Sequence, residues 1–343
     1  MSEYNLCLTI ESVKTVCVPL RDRLLALIVA VCWGLNFPAT AIALGHFPPL
    51  FMVSLRFTLL AIPTLLLIPR PRIPLRWLIS TALALCVMQF AFLYVGMAAG
   101  MPSGLASLVL QASAPFTVLI AGVWLHEKLS RRQGIGIGIA VVGLAAIAVH
   151  RAQVAAVLPV ILTLCAALGW AIGNVCSRRA AAPKPLHLTL WMSVIPPIPL
   201  LALSLILEGP TRIERSLTTV FTVAALPAVL GLLYIVVIAT VVGYGLWNSL
   251  LARHPSSVVA PFSMLVPVVG VLSSWLFFGE VIPLPEFLAG LAVVGGVLYA
   301  SRPPHLPTRA SRASDGPPGQ TAVAAAAVGS SGASSGDGRV VSS

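Results

Sequence analysis

The chain has 343 residues, of which 58% are hydrophobic and only 9% charged, with a mean hydropathy of +0.98. A water-soluble domain carries roughly a quarter charged residues, so the solvent for most of this chain is lipid. The net charge of +11 would suit a nucleic acid, but the basic residues fall between apolar runs rather than on one face, which excludes that partner.

Residues 1–21 contain Glu3, Glu11 and Lys14 and no unbroken apolar core, so they read as a short cytoplasmic tail, not a signal peptide. Apolar runs of about twenty residues, which suit a hydrocarbon layer about 30 Å thick, follow near 24–44, 49–69, 76–97, 103–125, 132–149, 157–177, 186–207, 228–250, 256–278 and 283–301. These predict an all-α integral membrane protein with ten transmembrane helices. The stretch from Pro303, rich in Pro, Ser, Gly and Ala, has too little to pack and is expected to form a disordered cytoplasmic tail over 303–343. Cys7, Cys17, Cys32, Cys86, Cys165 and Cys176 show no CxxC spacing and read as free thiols, with no metal site, cofactor or disulfide framework.

The pattern around Glu127 returns around Glu280 at a constant shift of 153 residues, without gaps. Pro102-Ser103 falls on Pro255-Ser256, Tyr94 on Trp247, Leu119 on Leu272 and Gly143 on Gly296. Trp33-Gly34 matches Trp170-Ala171 at a shift of 137, so 16 extra residues enter the second half, most naturally between Glu208 and Leu226. Two five-span repeats result, over 22–149 and 157–301. Five is odd, so the second copy is inverted, as in secondary transporters whose substrate site lies near midplane. With a cytoplasmic N-terminus, fifteen Lys and Arg residues flank spans on the inner side and three, Arg151, Arg212 and Arg215, on the outer side. The positive-inside rule then predicts both termini in the cytoplasm.

Pro38, Pro63, Pro115, Pro196, Pro197 and Pro267 lie inside spans and each removes an intrahelical bond. Gly134-Ile-Gly136-Ile-Gly138 and the stretch from Gly290 to Gly296 read as small-residue faces for close helix packing.

Several strings carry a family resemblance: Trp33-Gly34-Leu35-Asn36-Phe37, Pro48-Pro49-Leu50, Leu55-Arg56-Phe57, Gln89 to Leu93, Met101 to Gln111, Ala239 to Gly245 and Leu265 to Gly270. Across 22–301 the chain resembles the EamA family of the drug/metabolite transporter superfamily, and in particular members that export O-acetylserine and cysteine. The resemblance implies ten spans, two EamA repeats, a multi-pass location in the inner membrane and efflux of small amino-acid-type metabolites. The tails fall outside the resemblance. A broader drug/metabolite or multidrug efflux permease is the alternative. A membrane enzyme would need paired intramembrane Asp, HExxH or a Ser–His arrangement, none of which the sequence contains.

Arg56 is the one strongly ionisable residue deep in a span, where an unpaired charge costs at least a few kcal/mol. It reads either as a clamp for a substrate carboxylate or as a structural residue on carbonyls freed by nearby prolines. Trp33 and Trp170, equivalent in the two repeats, either line the cavity and hold an ammonium group or simply pack. Asn36, Gln89, Gln111, Asn174 and Asn248 are neutral polar groups for substrate or for bonds between helices. Tyr94 and Trp247 end their spans, where interfacial anchoring competes with gating. Glu127 and Glu280 close spans, and they either cap the next helix and pair with nearby bases or take part in gating or proton coupling. None of the ten acidic residues is placed mid-span, so a proton role would fall to Glu127, Glu280, His126, His187 or His254. Proton coupling, facilitated diffusion and a homodimer all stay open, and without a GxxxxGK[ST] loop the chain does not itself hydrolyse ATP.

Overall fold

A computed structural model describes residues 7–8, 16–17, 19–124, 126, 130–154, 156–254, 259 and 262–300. The expected disordered tail over 303–343 and the expectations for Glu127 lie outside these residues. Apolar runs become helices because lipid offers the backbone no hydrogen-bond partner, so every N–H must bond within its own segment. In chain order these are α1 (Leu20–Leu44), α2 (Pro49–Leu67), α3 (Leu75–Ala98), α4 (Ser103–Trp124), α5 (Arg131–Val154), α6 (Leu158–Ala180), α7 (Pro185–Leu207), α8 (Pro210–Thr218), α9 (Val223–Arg253), α10 (Val266–Phe278) and α11 (Leu284–Ala300). Eight of them are long and apolar enough to cross a membrane, and α10 and α11 are shorter apolar helices. Two two-residue strands, β1 (Cys7–Leu8) and β2 (Val16–Cys17), pair antiparallel ahead of α1, a small addition to the all-α expectation.

Large apolar side chains such as Leu66, Val142, Ile206 and Leu276 point outward. In water such a surface would aggregate; in a bilayer, acyl chains cover it. The chain is therefore a multi-pass membrane protein.

Local chemistry explains the irregular points. α1 pauses at Leu35, between Leu20–Gly34 and Asn36–Leu44, because Pro38 has no N–H for the Gly34 carbonyl. The ladder resumes with Ala39 N–H on Leu35 O at 3.1 Å. α3 and α9 each widen into a π-helix, over Leu83–Met88 and Tyr234–Val242. The first segment shifted by 153 residues falls inside the second. α8 fills the stretch where the sequence predicted extra residues; it buries Ile213 and Ser216 and takes His46 Nε2 against Ser216 O at 2.9 Å.

Packing between the halves follows one pattern. α2 packs on α7, α4 on α10 and α5 on α11; α1 lies against α9 and α10, and α6 against α3 and α4. Exchanging α1 with α6, α2 with α7, α3 with α9, α4 with α10 and α5 with α11 leaves that pattern unchanged. The match extends to atoms. Gly136 meets the backbone of Gly296 while Gly143 meets that of Ala289, and each contact is the other shifted by 153. Gln111 Nε2 lies 3.6 Å from Met264 Sδ, 153 residues away, so two equivalent positions touch.

Candidate functional site

α2 starts on Pro48-Pro49, with proline in its first turn where a missing N–H costs nothing. Its next free amides, Leu50 N–H and Phe51 N–H, donate to the Glu208 carboxylate at 2.7 and 3.1 Å. Two turns further in, Arg56 is 3% exposed. Its Nη1 donates to Tyr94 Oη on α3 at 2.7 Å and its Nη2 to Thr240 Oγ1 on α9 at 3.0 Å. The guanidinium lies 4.1 Å from the centre of the Phe90 ring and 5.5 Å from that of Phe57. Phe90 stands edge-on to both Phe57 and Tyr94.

These groups hold the cation by dipoles and ring faces without neutralising it. No ion pair of Arg56 with a carboxylate occurs among the described residues. Its Nε is buried with no partner, as is the Asn36 Oδ1 acceptor on α1. An unmet buried donor costs about 1–3 kcal/mol, more when charged, so Nε carries an unused donor in this structure.

Thr240 belongs to the π segment of α9, and so does its neighbour Ala239, whose carbonyl accepts Trp33 Nε1–H from α1 at 3.0 Å. Trp33 packs on Tyr244 and Trp247 at centroid distances of 5.1 and 5.2 Å. The Asn36–Leu44 part of α1 packs against the same π segment. Arg56, which also holds Tyr94, and Trp33, which packs on Trp247, thus both bond to α9 through the consecutive residues Thr240 and Ala239. A separate apolar cavity of about 310 Å³ lies beside it, lined by Leu35, Pro38, Leu230, Tyr234 and Phe277 among others, and it includes none of the predicted site residues.

The model of the EamA-like transporter family matches residues 23–149 and again 157–302. The chain belongs to that family. This EamA-like transporter is 41% identical over 284 residues to a "probable amino-acid metabolite efflux pump" of Salmonella typhimurium, covering 81% of the chain and 92% of that protein. It is 40% identical, with the same coverage, to the protein of that name in Escherichia coli K12. It is 24% identical to a "probable terminal-alkyne amino-acid exporter" of Streptantibioticus cattleyicolor, over 59% of the chain and 65% of that protein. A protein of known crystal structure shares the fold at a TM-score of 0.54 and 18% identity, over 82% of the chain and 96% of that protein.

The other predicted residues make contacts of their own in the transporter. Tyr94 is fully buried on Arg56, not set in an interfacial belt. Trp170 is half-buried against the core, and Gln89 is buried where α3 meets Gly169 of α6. Asn174 Nδ2 reaches Thr117 Oγ1 at 3.4 Å, and Asn248 Nδ2 donates to Tyr244 O at 2.7 Å; neither joins the Arg56 cluster through these bonds. Among the described residues the Glu280 carboxylate bonds to α4 rather than to the next helix or a nearby base. It crosses to α4 and accepts from Ser103 N–H at 3.2 Å, Gly104 N–H at 3.1 Å and the Ser103 hydroxyl. A carboxylate on a helix start satisfies orphan amides and meets the positive end of the macrodipole. Glu280→Ala is expected to cost about 1–2 kcal/mol, read as a lower melting temperature in detergent, with the substrate concentration for half-maximal transport unchanged.

Four site groups escaped the sequence reading: Thr240, Phe90, Tyr244 and the π segments. Thr240 and Tyr244 lie in a string that carried the family resemblance, which was the available signal. Two acids in first helical turns are buried. α1 begins at Leu20, so Asp22 is within the helix, where it pairs with Arg253 Nη1 at 2.8 Å and His254 Nε2 at 2.6 Å. Glu286, in the first turn of α11, is fully buried against His150 Nδ1 at 2.8 Å.

Proposed function

We propose that this transporter is a secondary exporter of small amino-acid-type metabolites of the O-acetylserine and cysteine kind, working by alternating access. The observation that carries the reading is the pair of unmet buried atoms beside the π segment of α9. Arg56 Nε is a cationic donor and Asn36 Oδ1 a neutral acceptor, complementary to a carboxylate and an ammonium group. Trp33 adds a ring face near the acceptor. The names of the relatives at 41% and 40% identity support the same class of cargo.

Ten spans in two inverted repeats form the scaffold of this proposal. Each pair of equivalent helices that touches runs antiparallel. Ser103 meets Ser274 and Ser107 meets Pro267 O between α4 and α10; Leu50 meets Glu208 and Ile68 meets Trp191 between α2 and α7. Antiparallel equivalents follow from a twofold axis in the membrane plane. Charge bias then puts both termini in the cytoplasm of an inner-membrane protein. If protons are coupled, Asp22 and Glu286 are the buried carboxylates through which they would act.

Expression in a cysteine-overproducing bacterium tests the assignment. Extracellular O-acetylserine or cysteine is expected to rise several-fold over an empty-vector control. No rise in any amino acid, with membrane insertion confirmed, would sink it. Multidrug efflux is the second reading, favoured by the apolar cavity of about 310 Å³, and predicts resistance to apolar toxic compounds without amino-acid export. Efflux from proteoliposomes with and without a pH gradient separates proton coupling from downhill flow.

A further inference from the structure

A π-turn is less favourable than the α-helix it interrupts, and such turns cluster at functional sites. In α9 the widened stretch makes two outward bonds from consecutive residues. The Ala239 carbonyl takes the Trp33 indole, and the Thr240 hydroxyl takes Arg56 Nη2. That hydroxyl also donates to Ile235 O, five residues back, at 2.8 Å. Thr240 therefore spans the π-turn and orients the guanidinium with one oxygen. Its donor is spent on the turn and its acceptor on the arginine, so the two arrangements support each other. Gly243, one turn on, is another place where α9 closes on Trp33: a Cβ there would come 2.7 Å from the indole nitrogen. The contact leaves little slack, so a change in the π-turn must move Trp33 or break its bond.

We propose that Thr240 is the positioning residue of the anion site, and that the π-turn it clips transmits the arrival of a carboxylate on Arg56 to Trp33, and so to α1. The proposal rests on the reading of Arg56 as the carboxylate site. A carboxylate reaching Nε draws the guanidinium toward it and competes with the neutral acceptor at Nη2, because charge-assisted bonds are roughly twice as strong as neutral ones. Releasing Thr240 loosens the clip on Ile235 and lets the turn change register. The Ala239 carbonyl turns with it, and Trp33 loses its partner. Substrate binding at α2 thereby becomes movement between α1 and α9, one of the helix pairs that join the two halves.

The test uses the full chain in proteoliposomes, with O-acetylserine as probe. Binding is followed by intrinsic fluorescence, and the Trp33 component is assigned by comparison with Trp33→Phe. Thr240→Val, nearly isosteric but lacking the hydroxyl that binding must displace, is expected to leave the half-saturating concentration at or below the wild-type value and to abolish the Trp33 response at saturation. Thr240→Ser should restore the Trp33 response, with a half-saturating concentration within about threefold of wild type. If Thr240→Val does not fold, Thr240→Ala against Thr240→Ser makes the same comparison. An intact Trp33 signal in a variant without the hydroxyl would overturn the inference. Failure of the underlying reading looks different: Arg56→Gln would then bind O-acetylserine like the wild type, whatever the Thr240 variants do.

Discussion

Arg56→Gln is expected to reduce amino-acid efflux at least about 30-fold while leaving insertion and thermal stability unimpaired. Two terms set the size. The guanidinium is buried and hydrogen-bonded on both terminal nitrogens, so a carboxylate meeting it would be fully desolvated. Truncating one partner of such a charge pair costs about 2–5 kcal/mol, and every 1.4 kcal/mol is tenfold. Stability moves the other way, because the resting protein offers Arg56 only hydroxyls and ring faces. Removing an uncompensated buried charge is neutral or favourable, so the melting temperature in detergent should hold or rise. Arg56→Lys should rescue little, since a point charge on a flexible stem cannot hold Tyr94, Thr240 and a ligand in one plane. Efflux at the wild-type rate by Arg56→Gln would return Arg56 to a purely structural role.

Arg56 was legible because a lone charge in an apolar run stands out by its cost. Its surroundings were not. Tyr94 near the end of an apolar run reads as an interfacial residue, yet α3 continues to Ala98 and turns that phenol toward α2. Thr240 is compatible with a membrane helix anywhere along its length; its hydroxyl meets Ile235 O and Arg56 from within a π-turn, which has no compositional signature. Glu280 was recognised as half of a repeated pair, but its partners lie 176 and 177 residues away. Local reasoning offered the next helix or a neighbouring base, and the amides of α4 lay beyond its reach.

The helices themselves were readable because lipid leaves the backbone no other solution, so apolar length maps directly onto elements. Ends were harder. The first span is expected near 24–44, but α1 starts at Leu20, with Asp22 in its first turn meeting Arg253 and His254. The repeat shift, by contrast, was found from sequence and reappears in contacts such as Gln111 with Met264.

Gly136→Leu is expected to destabilise the protein by at least about 3 kcal/mol, enough to lose most of the inserted, folded population. A Cβ at Gly136 would stand 2.4 Å from the Gly296 carbonyl oxygen and 2.9 Å from Ala300 N. Those are backbone atoms, which no rotamer change can move, so α5 and α11 must separate along their shared face. Overpacking usually costs about 1–3 kcal/mol when side chains can adjust; here they cannot, and association of membrane helices depends on this close approach. Gly134→Leu and Gly138→Leu are the controls, because nothing lies within 4 Å of a Cβ at either position. All three glycines were read from sequence as one small-residue face, yet successive residues turn by about 100° and only the middle one meets α11. Gly296→Leu should match Gly136→Leu, since its Cβ would meet Gly136 O at 2.5 Å. Folded yield by size-exclusion chromatography and melting in detergent separate the two classes. Equal effects at all three α5 positions would mean that helix propensity or lipid contact, not the approach to α11, governs this face.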